Sequence, residues 1–218
     1  MNKEWSELNK TRQAQIKKKD TYKMGIDTLF NLRRQLMQTL VSFKEDLCRE
    51  DFNAIPFINA DGYHSKTIAY SIWHIFRIED IVAHTVITED EQVFFTGNYQ
   101  VRINSPIITT GNELVKQQIA DFSKQLNLEE LYSYIFEVRE STEKILERFS
   151  YDELKWKIPD ERKGYLKSLN VVNCDEKAIW LIDYWCSKDI RGLIQMPFSR
   201  HWIMHTEACL RIKNKIHS

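Results

Sequence analysis

Two histidines near the C-terminus, His201 and His205, stand four residues apart. In a helix this spacing places both imidazoles on one side, about 6 Å apart along the axis, so that they could share one metal ion. They also fall in a buried helical pattern that is otherwise apolar, with Ile194, Phe198 and Ile212. Because a buried imidazole needs partners for both ring nitrogens, we expect these two residues to have a specific role.

A third histidine, His74, lies on or beside the buried face of another predicted helix, between Trp73 and Phe76. Three imidazoles are enough to bind a divalent transition metal and to leave one or two coordination positions open. In a helical bundle such ligands come from facing helices and point inward. We therefore predict a metal site of His74, His201 and His205, provided that their helices are neighbours.

An alternative ligand pair is His205 with Cys209, which also stand four residues apart. One metal ion cannot take His201, His205 and Cys209 together, because the outer two are about 12 Å apart along the helix axis. Spacing alone leaves this alternative open.

Two charged residues follow His74 in the same helix. Glu79 lies about 140° round the helix from His74, which points it away from a metal, so we predict that it pairs with an Arg or Lys of another helix. Arg77, three residues after His74, could border the site and bind an anionic group of a substrate. We expect the second ring nitrogen of a metal-binding histidine to find a carboxylate or a backbone carbonyl.

The periodicity predicts an all-α fold, a four-helix bundle with additional short helices, in one domain over residues 1–218. Residues 1–20 are expected to form a peripheral N-terminal arm, either a short helix or a partly ordered segment, and Ser65 to cap the second long helix. We expect Pro197 to interrupt the helical pattern before the last helix. Two segments, 88–111 and 152–174, are expected to be long loops that shape a pocket. The predicted helices are 22–48, 65–87, 113–124 (short), 127–149, 176–196 and 198–216.

The composition excludes several classes of protein. Thirty-one basic and thirty-one acidic residues cancel, so no global charge attracts nucleic acid or an anionic membrane. The four cysteines form no C-x-x-C pair, the N-terminus lacks an apolar signal region, and no window approaches 18 consecutive apolar residues. We therefore expect a cytoplasmic protein with reduced thiols, no nucleic-acid partner and no membrane segment.

The sequence Trp73-His74-Ile75 followed by Glu79-Asp80, with H-x-x-x-H in the last helix, resembles the DinB/YfiT-like superfamily of metalloenzymes. The resemblance covers the order of helices from about residue 22 to 216. It implies a four-helix bundle, often a homodimer, in which His74, His201 and His205 hold a divalent metal, zinc or nickel. An all-imidazole set matches the family better than His205 with Cys209, although the chain lacks the His-Arg-Gly-Gln run that many members carry after the second ligand of the pair.

The resemblance also implies an activity. Members act on small molecules, so we expect a metal-dependent transferase that uses a low-molecular-weight thiol, or a hydrolase. The first alternative is a non-catalytic stress-response or binding protein that the metal stabilises, which would need a fourth ligand such as Cys209 or His84. The second is a helical scaffold without metal, in which the histidines are incidental.

Overall fold

The computed structural model describes residues 2–218, and this part of the chain is helical throughout. Its only strand-like pairing is one isolated bridge between Lys157 and Asp189. None of its helices is both long enough and apolar enough to cross a membrane. The α-helices, in chain order, are α1 (Lys3–Gln15), α2 (Tyr22–Asp46), α3 (Arg49–Asn53), α4 (Ile68–Asp80), α5 (Val93–Thr96), α6 (Tyr99–Arg102), α7 (Gln117–Gln125), α8 (Leu128–Arg148), α9 (Glu161–Ser168), α10 (Glu176–Cys186), α11 (Ile190–Gln195) and α12 (His201–Ile216). Short 3-10 turns cover Gly62–His64 and Glu153–Lys155, and π-helical segments cover Ile81–Thr88 and Met196–Arg200.

Helix α4 is the centre of the molecule, because all of its residues are buried. It begins at Thr67, whose hydroxyl accepts the backbone N–H of Tyr70 at 3.0 Å, rather than at the predicted cap Ser65. Its end runs directly into the π-helical segment Ile81–Thr88, which Glu89 terminates with a left-handed φ of 60°. A helix that is buried on every side must be surrounded by other elements of the fold, and α4 packs against α3, α7, α8 and α12.

Helix α4 is one of four long helices that pack together. Helix α4 contacts α8 and α12, and α2 contacts the same two helices. Large apolar side chains fill the space between them, among them Trp73, Phe76 and Trp202. The adjacency of α4 and α12, which the histidine hypothesis requires, is therefore present.

The N-terminal segment contains a helix, which is one of the two forms expected for it. Helix α1 packs along α2 and buries Trp5 and Arg12. The Arg12 guanidinium donates a hydrogen bond to the Ser199 hydroxyl at 3.0 Å, and burial lowers its pKa to about 10. Periodicity missed this packing because a buried arginine counts as a surface residue in a hydrophobic pattern.

Pro197 does not end a helix. The chain is helical from Ile190 to Ile216, and the π-helical segment Met196–Arg200 joins α11 to α12. There the backbone N–H of His201 bonds to the carbonyl of Met196, five residues back. Such a wide turn tolerates a residue without an N–H. The real interruption comes earlier, between Cys186 and Ile190, where the Asp189 side chain caps α11 by accepting the Gly192 N–H.

The two predicted long loops contain helices. Residues 88–111 hold α5 and α6, and residues 152–174 hold a 3-10 turn and α9. Other boundaries agree with the sequence: α2 starts at the predicted residue, and Asn127 caps α8 by accepting the N–H groups of Glu129 and Glu130.

Candidate metal centre

Helices α4 and α12 bring three imidazoles together. The ring centroids of His74 lie 5.0 Å from His201 and 4.9 Å from His205, and those of His201 and His205 are 4.6 Å apart. One nitrogen from each ring lies within 4.8 Å of the other two. A metal–nitrogen bond measures about 2.0–2.1 Å, so two nitrogens on one ion are at most about 4.2 Å apart. Nitrogens near the 4.8 Å limit would therefore move closer together when an ion binds.

All three rings are shielded from solvent, with 4 to 7% of each residue exposed. Burial lowers the pKa of His74 to about 4. Burial also holds the pKa of His201 and His205 well below the usual value, and the neighbouring histidines add to this effect. At neutral pH the site therefore consists of uncharged imidazoles, the protonation state that binds a metal.

A backbone carbonyl orients His74. Its Nδ1 lies 2.6 Å from the carbonyl oxygen of Thr110. Because a carbonyl only accepts, Nδ1 carries the proton and Nε2 keeps its lone pair free. The Tyr70 ring stacks on the other side at 5.2 Å, and its hydroxyl donates to the Gly111 carbonyl at 2.9 Å. A backbone carbonyl therefore holds the second ring nitrogen of His74, as expected, and it belongs to the segment between α6 and α7.

The other two imidazoles have unsatisfied nitrogens. Nδ1 of His201 and Nδ1 of His205 are buried without a hydrogen-bond partner among residues 2–218. Native proteins rarely leave buried polar atoms unpaired, and each such atom needs an explanation. A metal ion would satisfy the cluster, so the donor set fits a divalent transition metal.

The cluster opens into a cavity of about 310 Å³ that reaches His74 and His205. Tyr63, Lys66 and Tyr70 are among the side chains that line it. A small molecule could therefore approach the imidazoles from this side. Sequence reasoning missed these lining residues, although Lys66, Tyr70 and His74 follow one another at intervals of four.

The alternative ligands lie elsewhere. Cys209 is packed in the apolar core, and burial raises the pKa of its thiol to about 12, which disfavours the thiolate that a metal would need. Cys209 is therefore a core residue. His84 lies in the π-helical continuation of α4 and takes no part in the cluster. Within residues 2–218, no fourth His, Cys, Asp or Glu joins the three histidines.

His84 belongs to a hydrogen-bond chain of its own. Its Nδ1 lies 2.6 Å from Asp90 Oδ1, and the Ser141 hydroxyl lies 3.1 Å from its Nε2. The order Ser–His–Asp is that of a nucleophilic triad. However, Ser141 lies inside α8, where backbone N–H groups are bonded along the helix and none is free to form an oxyanion hole. The chain instead ties the end of the π-helical segment to α8.

The structure does not place Arg77 at the site. Its guanidinium is fully buried, donates to the Ile108 carbonyl at 3.0 Å and to the Gln92 side chain at 2.7 Å, and lies 3.6 Å from Asp80. It does not line the cavity over the histidines. Its position therefore gives no support to the predicted contact with an anionic substrate group, because its side chain extends under the segment between α4 and α7.

Glu79 pairs with an arginine, as predicted. It accepts two hydrogen bonds from Arg33, at 2.9 and 2.7 Å, and a third from Trp202 Nε1 at 2.7 Å. Arg33 belongs to α2 and Trp202 to α12, so this one carboxylate links α2, α4 and α12. Trp202 is adjacent to His201, and the contact therefore fixes the rotation of α12 relative to His74.

Comparison with known proteins adds no relative. No protein-family model matches the chain, and no curated protein matches it at a significant level. The geometry of the site is therefore the basis for inferring a function.

Proposed function

We propose that this protein is a metal-dependent enzyme of the DinB/YfiT-like kind, a four-helix bundle of α2, α4, α8 and α12 with added short helices. His74, His201 and His205 are the proposed ligands of a divalent metal, zinc or nickel. One observation carries the proposal: three buried, uncharged imidazoles converge, and two of them, His74 and His205, line an open cavity. The contacts among the four helices support the bundle.

Three protein ligands favour catalysis over a structural role. A structural zinc is normally enclosed by four protein ligands, whereas a catalytic ion keeps a position open. When bound, a divalent ion at this site would supply Lewis acidity toward a thiol, a water or a carbonyl group. The chain's own residues orient the site: Thr110 fixes the His74 tautomer, and Tyr70 packs against the His74 ring.

The proposed substrate is a small molecule that enters by the cavity, and the proposed reaction is thiol-dependent group transfer or hydrolysis. The resemblance supports transfer from a low-molecular-weight thiol, and it supports a cytoplasmic homodimer. Light scattering on the purified protein tests the dimer directly.

Metal analysis of untagged protein tests the ligand set. We expect about one zinc or nickel ion per chain after loading and gel filtration, and loss of that ion in His74→Ala and His205→Ala. His84→Ala is the matched control, because it also removes a mostly buried histidine but lies outside the cluster. Equal metal content in the wild type and His74→Ala would refute the proposal.

Cobalt substitution separates an enzyme from a protein that the metal only stabilises. In an enzyme, the cobalt spectrum changes when a small thiol is added, because a coordination position is open. An unchanged, four-coordinate spectrum would favour the non-catalytic alternative. A panel of electrophiles with small thiols, run beside a panel of esters and amides, then distinguishes transfer from hydrolysis.

A further inference from the structure

We propose that the cavity over the three histidines binds its small molecule through an anionic oxygen group, a carboxylate or a phosphate, which Lys66 holds. This inference builds on the proposed metal site, because the same cavity leads to both. It concerns the class of ligand rather than the reaction.

The position of Lys66 carries the first step. It precedes Thr67, the cap of α4, and its Nζ lies 5.1 Å from the centre of the Tyr70 ring. The Tyr70 ring stacks on His74 with centroids 5.2 Å apart. These two distances together put the ammonium within about 10 Å of the His74 ring. A ligand bound to Lys66 therefore also reaches the imidazole cluster.

The charge of Lys66 has no carboxylate partner in the described part of the chain. In residues 2–218, no carboxylate oxygen lies within 4.0 Å of its ammonium. The side chain is only partly exposed, and burial lowers the pKa of the ammonium. A partly desolvated cation without a counter-ion attracts an anion.

Among the described residues, the wall of the cavity carries a second lysine and no carboxylate. Lys177 also lines the cavity, 3.7 Å from Asp175, and no Asp or Glu is among the described residues that form the wall. Glu113, beside the cavity residue Asn112, accepts a hydrogen bond from the Thr109 hydroxyl through Oε1. It does not line the wall, but its charge acts on Tyr70, whose pKa burial and this carboxylate both raise. Because Lys177 already has a carboxylate nearby, Lys66 is the main anchor and Lys177 contributes at the edge.

The size of the cavity limits the ligand. The volume of about 310 Å³ is at the lower end for small-molecule sites. The ligand is therefore a compact anion, with its charge at Lys66 and its reacting group toward His74 and His205.

Anion titration of zinc-loaded protein tests the inference. The probes are inorganic phosphate and succinate, titrated by calorimetry at constant ionic strength with chloride as the reference anion. We expect one probe at least to bind to the wild type. We expect Lys66→Gln to bind it at least tenfold more weakly with unchanged zinc content, since a hydrogen bond to a charged group is lost. Phosphate-only binding identifies a phosphate ligand, and succinate-only binding a carboxylate.

Lys188→Gln is the matched control, because the Lys188 ammonium also lies over a tyrosine ring, at 4.7 Å from Tyr184, outside the cavity. It should bind the probe as the wild type does. No binding by zinc-loaded wild type, or equal affinity in Lys66→Gln, overturns the inference and leaves the metal site standing. Anion binding that depends on Lys66 in a protein that takes up no zinc supports the inference and refutes the proposed metal site.

Discussion

The Thr110 carbonyl lies 2.6 Å from the Nδ1 of His74. It reaches this position because Gly111, the next residue, adopts a left-handed φ of 74°. A Cβ at Gly111 would lie 3.0 Å from the Trp73 ring and 3.1 Å from the Tyr70 ring, so only glycine fits here without displacement. The orientation of a proposed metal ligand thus depends on a glycine 37 residues along the chain.

Gly111→Ala should weaken metal binding without touching a ligand. The strained φ and the two ring contacts displace Thr110, and loss of such a supporting hydrogen bond typically costs 10–100-fold in metal affinity. We also expect a stability loss of about 1 kcal/mol or more. Competition with a zinc chelator measures the affinity, and urea unfolding measures the stability.

Gly164→Ala is the control for this change. Gly164 lies in α9, and a Cβ there meets no atom within 4 Å. The substitution should leave zinc affinity unchanged and raise helix stability slightly, by about 0.5–1 kcal/mol. Equal zinc affinity in Gly111→Ala and Gly164→Ala would contradict the role given to Thr110.

Glu79→Ala should be strongly destabilising. The Arg33–Glu79 pair has no solvent exposure on either side chain. Glu143, the second carboxylate at Arg33, contacts only its Nε, at 3.1 Å. Removal of Glu79 therefore leaves much of a buried charge uncompensated, at a cost of up to about 3–5 kcal/mol. Urea unfolding of the metal-free protein measures the loss.

Two comparisons test the explanation for Glu79. Glu140→Ala breaks an exposed pair with Lys144 and should cause no measurable loss. The double change Arg33→Met with Glu79→Leu should cost less than Glu79→Ala alone, because no charge remains buried. A double variant less stable than Glu79→Ala would show that the pair stabilises the fold beyond neutralising its own charges.

Acid should destabilise the metal-free protein between about pH 6.5 and pH 4. The pKa of His74 is about 4 in the folded protein against 6.5 for the free side chain. As the pH falls, the unfolded chain therefore takes up a proton before the folded chain does, and the stability present above pH 6.5 is lost progressively. At pH 5 the expected loss from His74 alone is about 2 kcal/mol.

Urea unfolding at a series of pH values measures this loss. His201 and His205 shift in the same direction and steepen the profile. His74→Gln should flatten it, because glutamine does not titrate. A wild-type profile that stays level from pH 7 to pH 5 would exclude buried neutral histidines.

The sequence supports local features of this structure better than long-range ones. The apolar stripes of α2 and α8, the Asn127 cap and the shared side of His201 and His205 all follow from spacing within single helices. Each of these depends on the rise and rotation of one helix, which the residue order specifies.

Buried charges explain most of what spacing did not predict. Arg12, Arg33 and Arg77 are fully buried, each bonded to groups distant in sequence or in an irregular segment. A hydrophobic pattern treats such residues as exposed, so it did not predict the burial of Arg12 in α1 or of Arg77 in α4. The π-helical segment around Pro197 was also missed, since local propensity favours a break at proline and only tertiary packing retains the helix.

The proposed ligands are far apart in the chain, because His74 and His201 are separated by 126 intervening residues. The site therefore does not exist until the C-terminal helix has docked on α4, which is a contact of high sequence separation and slow to form. Metal binding would come late in folding and would then hold the loop of intervening residues closed, since an ion that binds only the folded chain shifts the folding equilibrium. In a cell, metal content would thus distinguish complete chains from those that lack their last helix.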